Sequence, residues 1–283
     1  MIPKKIILSI SIQNSIDLSP ELCIIYSYME EPREKWERFW GKKEDRAIYP
    51  PVTDIIQELA RFTNPYNKMA LEAGAGTGRD GIRLARLGAR VILLDYSEKS
   101  LKLAKKYLAQ EDKKLNIQLI MADALKTPFL DESFDIVFHQ GLLEHFHKPD
   151  PLLKENVRIL KKGGVLVVDV PQTFHLYTLI KNILMVLGIW FAGWERQFTI
   201  NSLSRLLKKY DLEIIHLYGD WSRPGILYKI VRELLLRFNI SLPMYPGYLG
   251  KITKKFYRLQ ESLRQKKIFL YTTLSIGMIA RKR

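Results

Sequence analysis

Glu72-Ala73-Gly74-Ala75-Gly76-Thr77-Gly78 is the stretch whose reading decides the fold. Ahead of it Lys68 to Glu72 reads as a short strand, and behind it Asp80 to Leu87 has helical spacing. A glycine turn between a strand and a helix lets backbone approach a ligand closely and aims free amide N–H groups at it. Many nucleotide-binding sheets share such a turn, so the spacing matters. Here the third glycine stands two positions after the second, whereas the dinucleotide fingerprint places it three after, and this argues against NAD.

Outward from the loop, short aliphatic runs alternate with helical patterns, the arrangement that builds a parallel sheet covered by helices. Ala89 to Asp95 is expected as the second strand, Glu98 to Leu108 as a helix, and Ile117 to Met121 as the third strand. Phe134 to Phe138 gives the fourth, Leu152 to Leu160 a helix, and Val165 to Val170 the fifth. The next helix begins only near Thr199-Ile200-Asn201-Ser202, which reads as a capping region, so 174–198 is an insertion. Glu213 to Tyr218 is the sixth strand and Ile268 to Ala280 the last, with Gly277 as a candidate bulge. A second insertion fills 219–267. The expected fold class is α/β: a doubly wound, mostly parallel seven-stranded sheet with the last strand antiparallel, plus helical insertions over its carboxyl edge. Ligands of open α/β sheets bind at that edge, so both insertions should overhang the crevice.

Residues 68–283 thus read as one Rossmann-like domain with helical caps at 174–198 and 219–267. Residues 1–67 read as an N-terminal arm and helices packing near the active site: an aromatic-rich helix around Trp36, Phe39 and Trp40, a Pro50-Pro51 break, and a helix from Thr53 to Arg61.

The single cysteine, Cys23, rules out a disulfide framework or thiolate cluster and fits a reducing, cytoplasmic setting. Lys4 and Lys5 ahead of Ile6 to Ile12 imitate the start of a signal peptide, but no small-residue cleavage site comes after them. The longest uncharged apolar stretch, Asn182 to Trp194, falls short of the roughly 18–20 residues a spanning helix needs. The net charge of +15 attracts polyanions or anionic lipid. Between Gly219 and Lys267, eleven basic residues against three acidic give +8, more than half of it.

Asp95 closes the second strand, where a carboxylate can accept hydrogen bonds from both hydroxyls of a ribose. Asp123 comes after the third, placed to accept from the exocyclic amine of adenine. Together with Leu71-Glu72-Ala73-Gly74-Ala75-Gly76-Thr77-Gly78, the segments Asp95-Tyr96-Ser97, Met121-Ala122-Asp123-Ala124, Ser133-Phe134-Asp135-Ile136-Val137-Phe138 through Glu144-His145, and Leu160-Lys161-Lys162-Gly163-Gly164 resemble, in order, the motifs of class I S-adenosylmethionine-dependent methyltransferases of the small-molecule type. The resemblance covers roughly Lys68 to Tyr218. It implies that Glu72 and the amides of Gly74, Ala75, Gly76 and Gly78 hold the methionine end of the cofactor and Asp95 the ribose. It further implies that Tyr96 packs on adenine, Asp123 and Ala124 recognise its amine edge, and His139 and Gln140 line the sulfonium side. Arg79 either pairs with the cofactor carboxylate or sits on a solvated helix start.

Displacement at a sulfonium needs mainly positioning, and a general base matters only if the acceptor must lose a proton. His139 and His145 are the candidate catalytic residues, with Glu144, His147 and Asp169 behind them. Leu143-Glu144-His145 resembles quinone-pathway O-methyltransferases whose metal-assisted members carry another glutamate three residues before the pair. Here that position is Gly141, and no metal is expected. The leading expectation is methyl transfer to a small, hydrophobic or amphiphilic, lipid-like acceptor under a helical cap, with room for peripheral contact with a membrane. The rivals are an RNA or other macromolecular methyltransferase using the basic 219–267 segment, and a cofactor-binding protein without transfer activity.

Overall fold

A computed structural model describes residues 33–41, 54–188, 194–221 and 266–283, with scattered positions between 225 and 263. The expected N-terminal arm, the Pro50-Pro51 break and most of the second insertion lie outside the described residues.

Two helices precede the sheet, α1 (Arg33–Gly41) and α2 (Ile55–Ala60). Asp54 caps α2 by accepting the Gln57 N–H at 2.9 Å, and Ile55, Ile56 and Leu59 bury its inner face. The alternating core then runs β1 (Met69–Ala73), α3 (Arg79–Arg86), β2 (Arg90–Asp95), α4 (Glu98–Leu108), β3 (Ile117–Met121), β4 (Phe134–Gln140), α5 (Asp150–Ile159) and β5 (Leu160–Pro171). It continues with α6 (Leu176–Val186), α7 (Ile200–Lys208), β6 (Leu212–Asp220) and β7 (Ser275–Lys282). The seven strands lie in the order β3-β2-β1-β4-β5-β7-β6, and β7 runs antiparallel to both neighbours. The strand order reverses between β1 and β4, which makes their carboxyl ends the crevice of a doubly wound sheet. The fold class is as the sequence implies.

Leu71, Val137, Leu166, Val168 and Met278 face one helical layer, and Ala70, Leu93, Ile136, Val167 and Ile279 face the other. The strands are therefore apolar on both faces, as a covered parallel sheet requires. In α7, Ile200, Leu203 and Leu207 recur at helical spacing and are buried, each contributing roughly 1.5–3 kcal/mol. The expected cap is present: Thr199 Oγ1 accepts the Ser202 N–H at 3.1 Å, and Ser202 Oγ accepts that of Thr199 at 2.8 Å.

Two strand starts differ from expectation by more than one residue, and one glycine plays another part. The fifth strand starts at Leu160, which pairs with Phe134 before a register shift, rather than at Val165. The last strand starts at Ser275, where its partners β5 and β6 end at Pro171 and Asp220. Without a strand to pair with, Lys267–Thr272 curls into a 3-10 turn, and Thr272 and Thr273 hydroxyls donate back to the carbonyls of Phe269 and Leu270. Gly277 is also no bulge, for it pairs in register with Asp169 and Tyr218. A Cβ there would stand 2.0 Å from the Tyr218 ring, so glycine makes room for a buried aromatic. The register shift of this edge lies instead between Ile214 and His216.

Candidate active site at the carboxyl edge

Gly74, Gly76 and Gly78 all have positive φ (63°, 54° and 67°), the left-handed conformation that side chains resist, and this wraps the chain tightly from β1 into α3. Glu72 and Asp95, at the ends of β1 and β2, hold the wrap from beneath. Glu72 Oε2 accepts the Gly81 N–H at 2.8 Å. Asp95 Oδ2 accepts that of Gly76 at 2.8 Å, and its Oδ1 that of Ser97 at 2.9 Å. Both carboxyls are buried, and burial pushes their pKa values up, strongly for Glu72, where the charge of Asp80 adds to it.

Asp123 stands just past the end of β3, 9% exposed, with Oδ1 accepting the Leu125 N–H at 2.8 Å; burial raises its pKa too. Ala124 beside it is buried, and Tyr96 comes directly after Asp95. On the β4 side, Arg79 donates to Asp80 Oδ2 at 2.5 Å and to Gln140 Oε1 at 3.0 Å. Arg79 thus braces the end of β4 against the start of α3. A Cβ on Gly74 would meet Leu142 at 2.8 Å, so the turn after β4 closes on the glycine loop. The structure brings Glu72, Ala75, Arg79, Asp95, Asp123 and Gln140 to one edge.

The candidate bases separate. His139 lies inside the sheet, 0% exposed, with no hydrogen-bond partner for either ring nitrogen, and burial lowers its pKa to about 4. It is neutral at physiological pH. His145 packs edge-on against Trp36, ring centres 4.7 Å apart. His147 stacks on Trp194 at 3.6 Å. Glu144 turns toward the first insertion, where the Arg196 N–H donates to its backbone carbonyl at 2.7 Å. Among the described residues no three His, Cys, Asp or Glu groups gather as a metal cage.

Two features go beyond what the sequence implies. First, α1 crosses the edge of the site. Arg33 reaches Met121 Sδ at 3.5 Å, and Glu37 accepts the N–H groups of Glu98 and Lys99 at 2.7 and 3.2 Å. A Cβ on Gly76 would meet the Trp40 ring at 2.7 Å. One helix thereby touches the end of β3, the start of α4, the glycine loop and the turn after β4. A position near the active site was expected for this aromatic-rich helix; the particular residues it touches were not legible. Second, Lys181 and Glu195, the charges bounding the uncharged run 182–194, pair with each other in the interior.

The family described as a methyltransferase domain matches residues 71–168, the span from β1 to β5 that carries the glycine loop, Asp95, Asp123 and Gln140. This chain carries a class I, S-adenosylmethionine-dependent methyltransferase domain. Among curated relatives, the domain is 33% identical over 132 residues to the demethylmenaquinone methyltransferase of Clavibacter sepedonicus, covering 47% of each chain. It is 27% identical over 158 residues to the ubiquinone biosynthesis O-methyltransferase of Pelagibacter ubique, covering 54% of this chain and 65% of that protein. The chain thus spans about half to two-thirds of the length of these relatives. The fold of the methyltransferase domain is also that of magnesium protoporphyrin IX methyltransferase from Synechocystis with bound SAH, with a TM-score of 0.56 and 15% identity, covering 93% of this chain and 100% of that one.

Proposed function

We propose that this chain transfers the methyl group of S-adenosylmethionine to a small amphiphilic acceptor of the quinone-precursor kind, taken up at a membrane surface. The observation that carries the acceptor class is α6, which is built inside out. Its buried residues are Thr178 and Lys181, while Leu176, Leu179, Ile180, Ile183 and Val186 are 41–88% exposed. An apolar stripe turned to solvent beside a binding edge fits a lipid interface and a lipid-soluble substrate. The net charge of +15 suits an anionic bilayer. The acceptors named for the relatives are of the same chemical kind. Among the described residues no helix is long and apolar enough to cross a membrane, so contact would be peripheral.

The site fits the cofactor on chemical grounds: a left-handed glycine wrap with buried carboxyls at consecutive strand ends. Asp95 would take the ribose hydroxyls, Tyr96 the adenine face, and Asp123 with the Ala124 backbone its amine edge. Glu72 and the loop amides of Gly74 to Gly78 would hold the methionine end, with Arg79 bracing Gln140 at the sulfonium side. When bound, the cofactor supplies a methyl group on a sulfonium, so positioning and exclusion of water do most of the work. A neutral His139 suits this wall, because a second cation there would repel the sulfonium. Trp36 and Trp40 on α1 would cover the crevice and keep it dry.

Two measurements test the proposal. Methyl-labelled cofactor incubated with fractionated cell extract should place label in lipid-soluble small molecules; label in RNA alone refutes it. Flotation with anionic vesicles should carry the wild-type protein and lose the Leu179→Glu/Ile183→Glu variant, whose changes are on exposed positions and leave the melting temperature in place. Equal flotation of the two removes the membrane-surface part of the reading.

A further inference from the structure

The first insertion brings an interior ion pair that the cofactor site does not use. Lys181 Nζ lies 2.5 Å from Glu195 Oε2, with side chains only 2% and 8% exposed. Taking two charges out of water costs several kcal/mol per ion, so a buried pair at the two ends of the uncharged run 182–194 calls for a reason.

Beside it stands Glu144, 4% exposed, whose Oε2 is buried with no hydrogen-bond partner. Its Oε1 would lie 3.7 Å from a Cβ on Gly141, the residue just after β4, and the Gly141 N–H donates to the Asp169 carbonyl at 3.2 Å. Gln140 and Leu142, flanking Gly141, touch Arg79 and Gly74 of the cofactor loop. Glu144 therefore stands between the cofactor side and the cap. Folded proteins leave few buried acceptors unpaired, and a ligand that completes one is among the reasons they do.

We propose that Glu144 Oε2 is the docking point and proton acceptor for an acceptor hydroxyl borne on an aromatic or enolic ring, with the neighbouring Lys181–Glu195 pair setting the charge around it. The inference rests on the methyl transfer proposed above and names the acceptor atom as oxygen. In the step, the O–H bond breaks and its proton passes to Glu144 Oε2. The oxygen's electron pair forms the bond to the methyl carbon of the sulfonium donor, and the pair of the broken C–S bond stays on sulfur as a neutral thioether.

The charged groups facing Glu144 are Glu195 on the returning segment, Lys181 on α6 and Asp169 at the end of β5. Burial first, then the Glu195 charge, raises its pKa to about 8, against the partial opposition of Lys181. A base in that range is much better matched to a phenol near about 10 than an ordinary carboxylate near about 4. With only Thr178 and Lys181 of α6 buried, lifting this helix to admit the acceptor uncovers little apolar core.

A long-chain alkyl catechol is the probe. Its affinity for the complex with S-adenosylhomocysteine is read by calorimetry, and its methylation is followed across pH. Glu144→Gln should weaken catechol binding several-fold, lower kcat by about 10²–10⁴-fold and remove the rising limb near pH 8. Cofactor affinity and melting temperature should hold or rise, since the change removes a buried acid. A Glu144→Gln enzyme within threefold of wild type in kcat at every pH, binding catechol equally well, overturns the inference while leaving the acceptor class standing. A wild-type protein that neither binds nor methylates the catechol overturns both readings, and that result is visible before any variant is made.

Discussion

Asp95→Ala is the substitution whose consequences the geometry fixes most fully. The carboxylate has two tasks: it holds the Gly76 and Ser97 amides at 2.8 and 2.9 Å, and it is assigned the ribose hydroxyls. Removing it leaves two buried N–H groups unpaired, a cost of about 1–3 kcal/mol each in stability. In cofactor affinity it removes two charge-assisted hydrogen bonds of about 1.5–3 kcal/mol apiece. The sum, roughly 3–6 kcal/mol, is a loss of about two to four decades in Kd. Calorimetry with S-adenosylhomocysteine measures it, and a thermal melt establishes that the variant is folded. Support of the loop and contact with ribose can be separated by an analogue lacking one ribose hydroxyl. Wild type should bind the analogue about 10–100-fold more weakly than the parent, and Asp95→Ala should bind the two within threefold. If the variant loses as much on the analogue as wild type does, Asp95 acts through the loop alone and the ribose assignment is wrong.

Gly277→Ala should cost about 1–3 kcal/mol, because its Cβ would collide with the Tyr218 ring, and Tyr218→Leu in the same background should recover part of that; an unchanged urea midpoint would mean the strand has slack the geometry does not show. Lys181→Met leaves Glu195 buried without its cation and should destabilise the first insertion by about 3–5 kcal/mol, read by hydrogen exchange of α6 amides, whereas Lys181→Met with Glu195→Leu should restore most protection. Glu144 carries a pH prediction for stability. Its folded pKa, about 8, lies above its ordinary 4.5, so its contribution is complete below pH 4.5 and is lost as pH rises through 8. Between those values the stability difference, wild type minus Glu144→Gln, should fall by up to about 1.4 kcal/mol per pH unit, and a flat difference in urea titrations would refute the burial argument.

Much of the sheet was legible because β1 to β4 are apolar runs bounded by turn residues, and α4 and β3 fall where their periodicity puts them. The last strand was not, because Ile268 to Leu274 is as strand-like in composition as Ser275 to Ala280. Its conformation depends on where β5 and β6 stop, which no local pattern encodes. Gly277 was misread for a related reason: a glycine in a strand signals a bulge or a close neighbour alike, and only the packed Tyr218 ring chooses. The place of Glu72, Asp95 and Asp123 at the carboxyl edge could be named in advance, since they stand at or just past strand ends on the glycine-loop side. Burial and strand position together give them their chemistry.

What the sequence by itself determined is the backbone-driven part: a left-handed glycine wrap, parallel strands at fixed intervals and acids at consecutive strand ends. Spacing along the chain is enough to specify that geometry. What only the tertiary structure decided is everything that depends on side chains far apart meeting in space. Trp40 of α1 lies over Gly76, and Lys181 neutralises Glu195 in the interior. Glu144 faces the insertion while its neighbour His145 faces Trp36, and α6 turns its apolar side outward. In each case, burial and electrostatics depend on which groups the folded chain places beside one another.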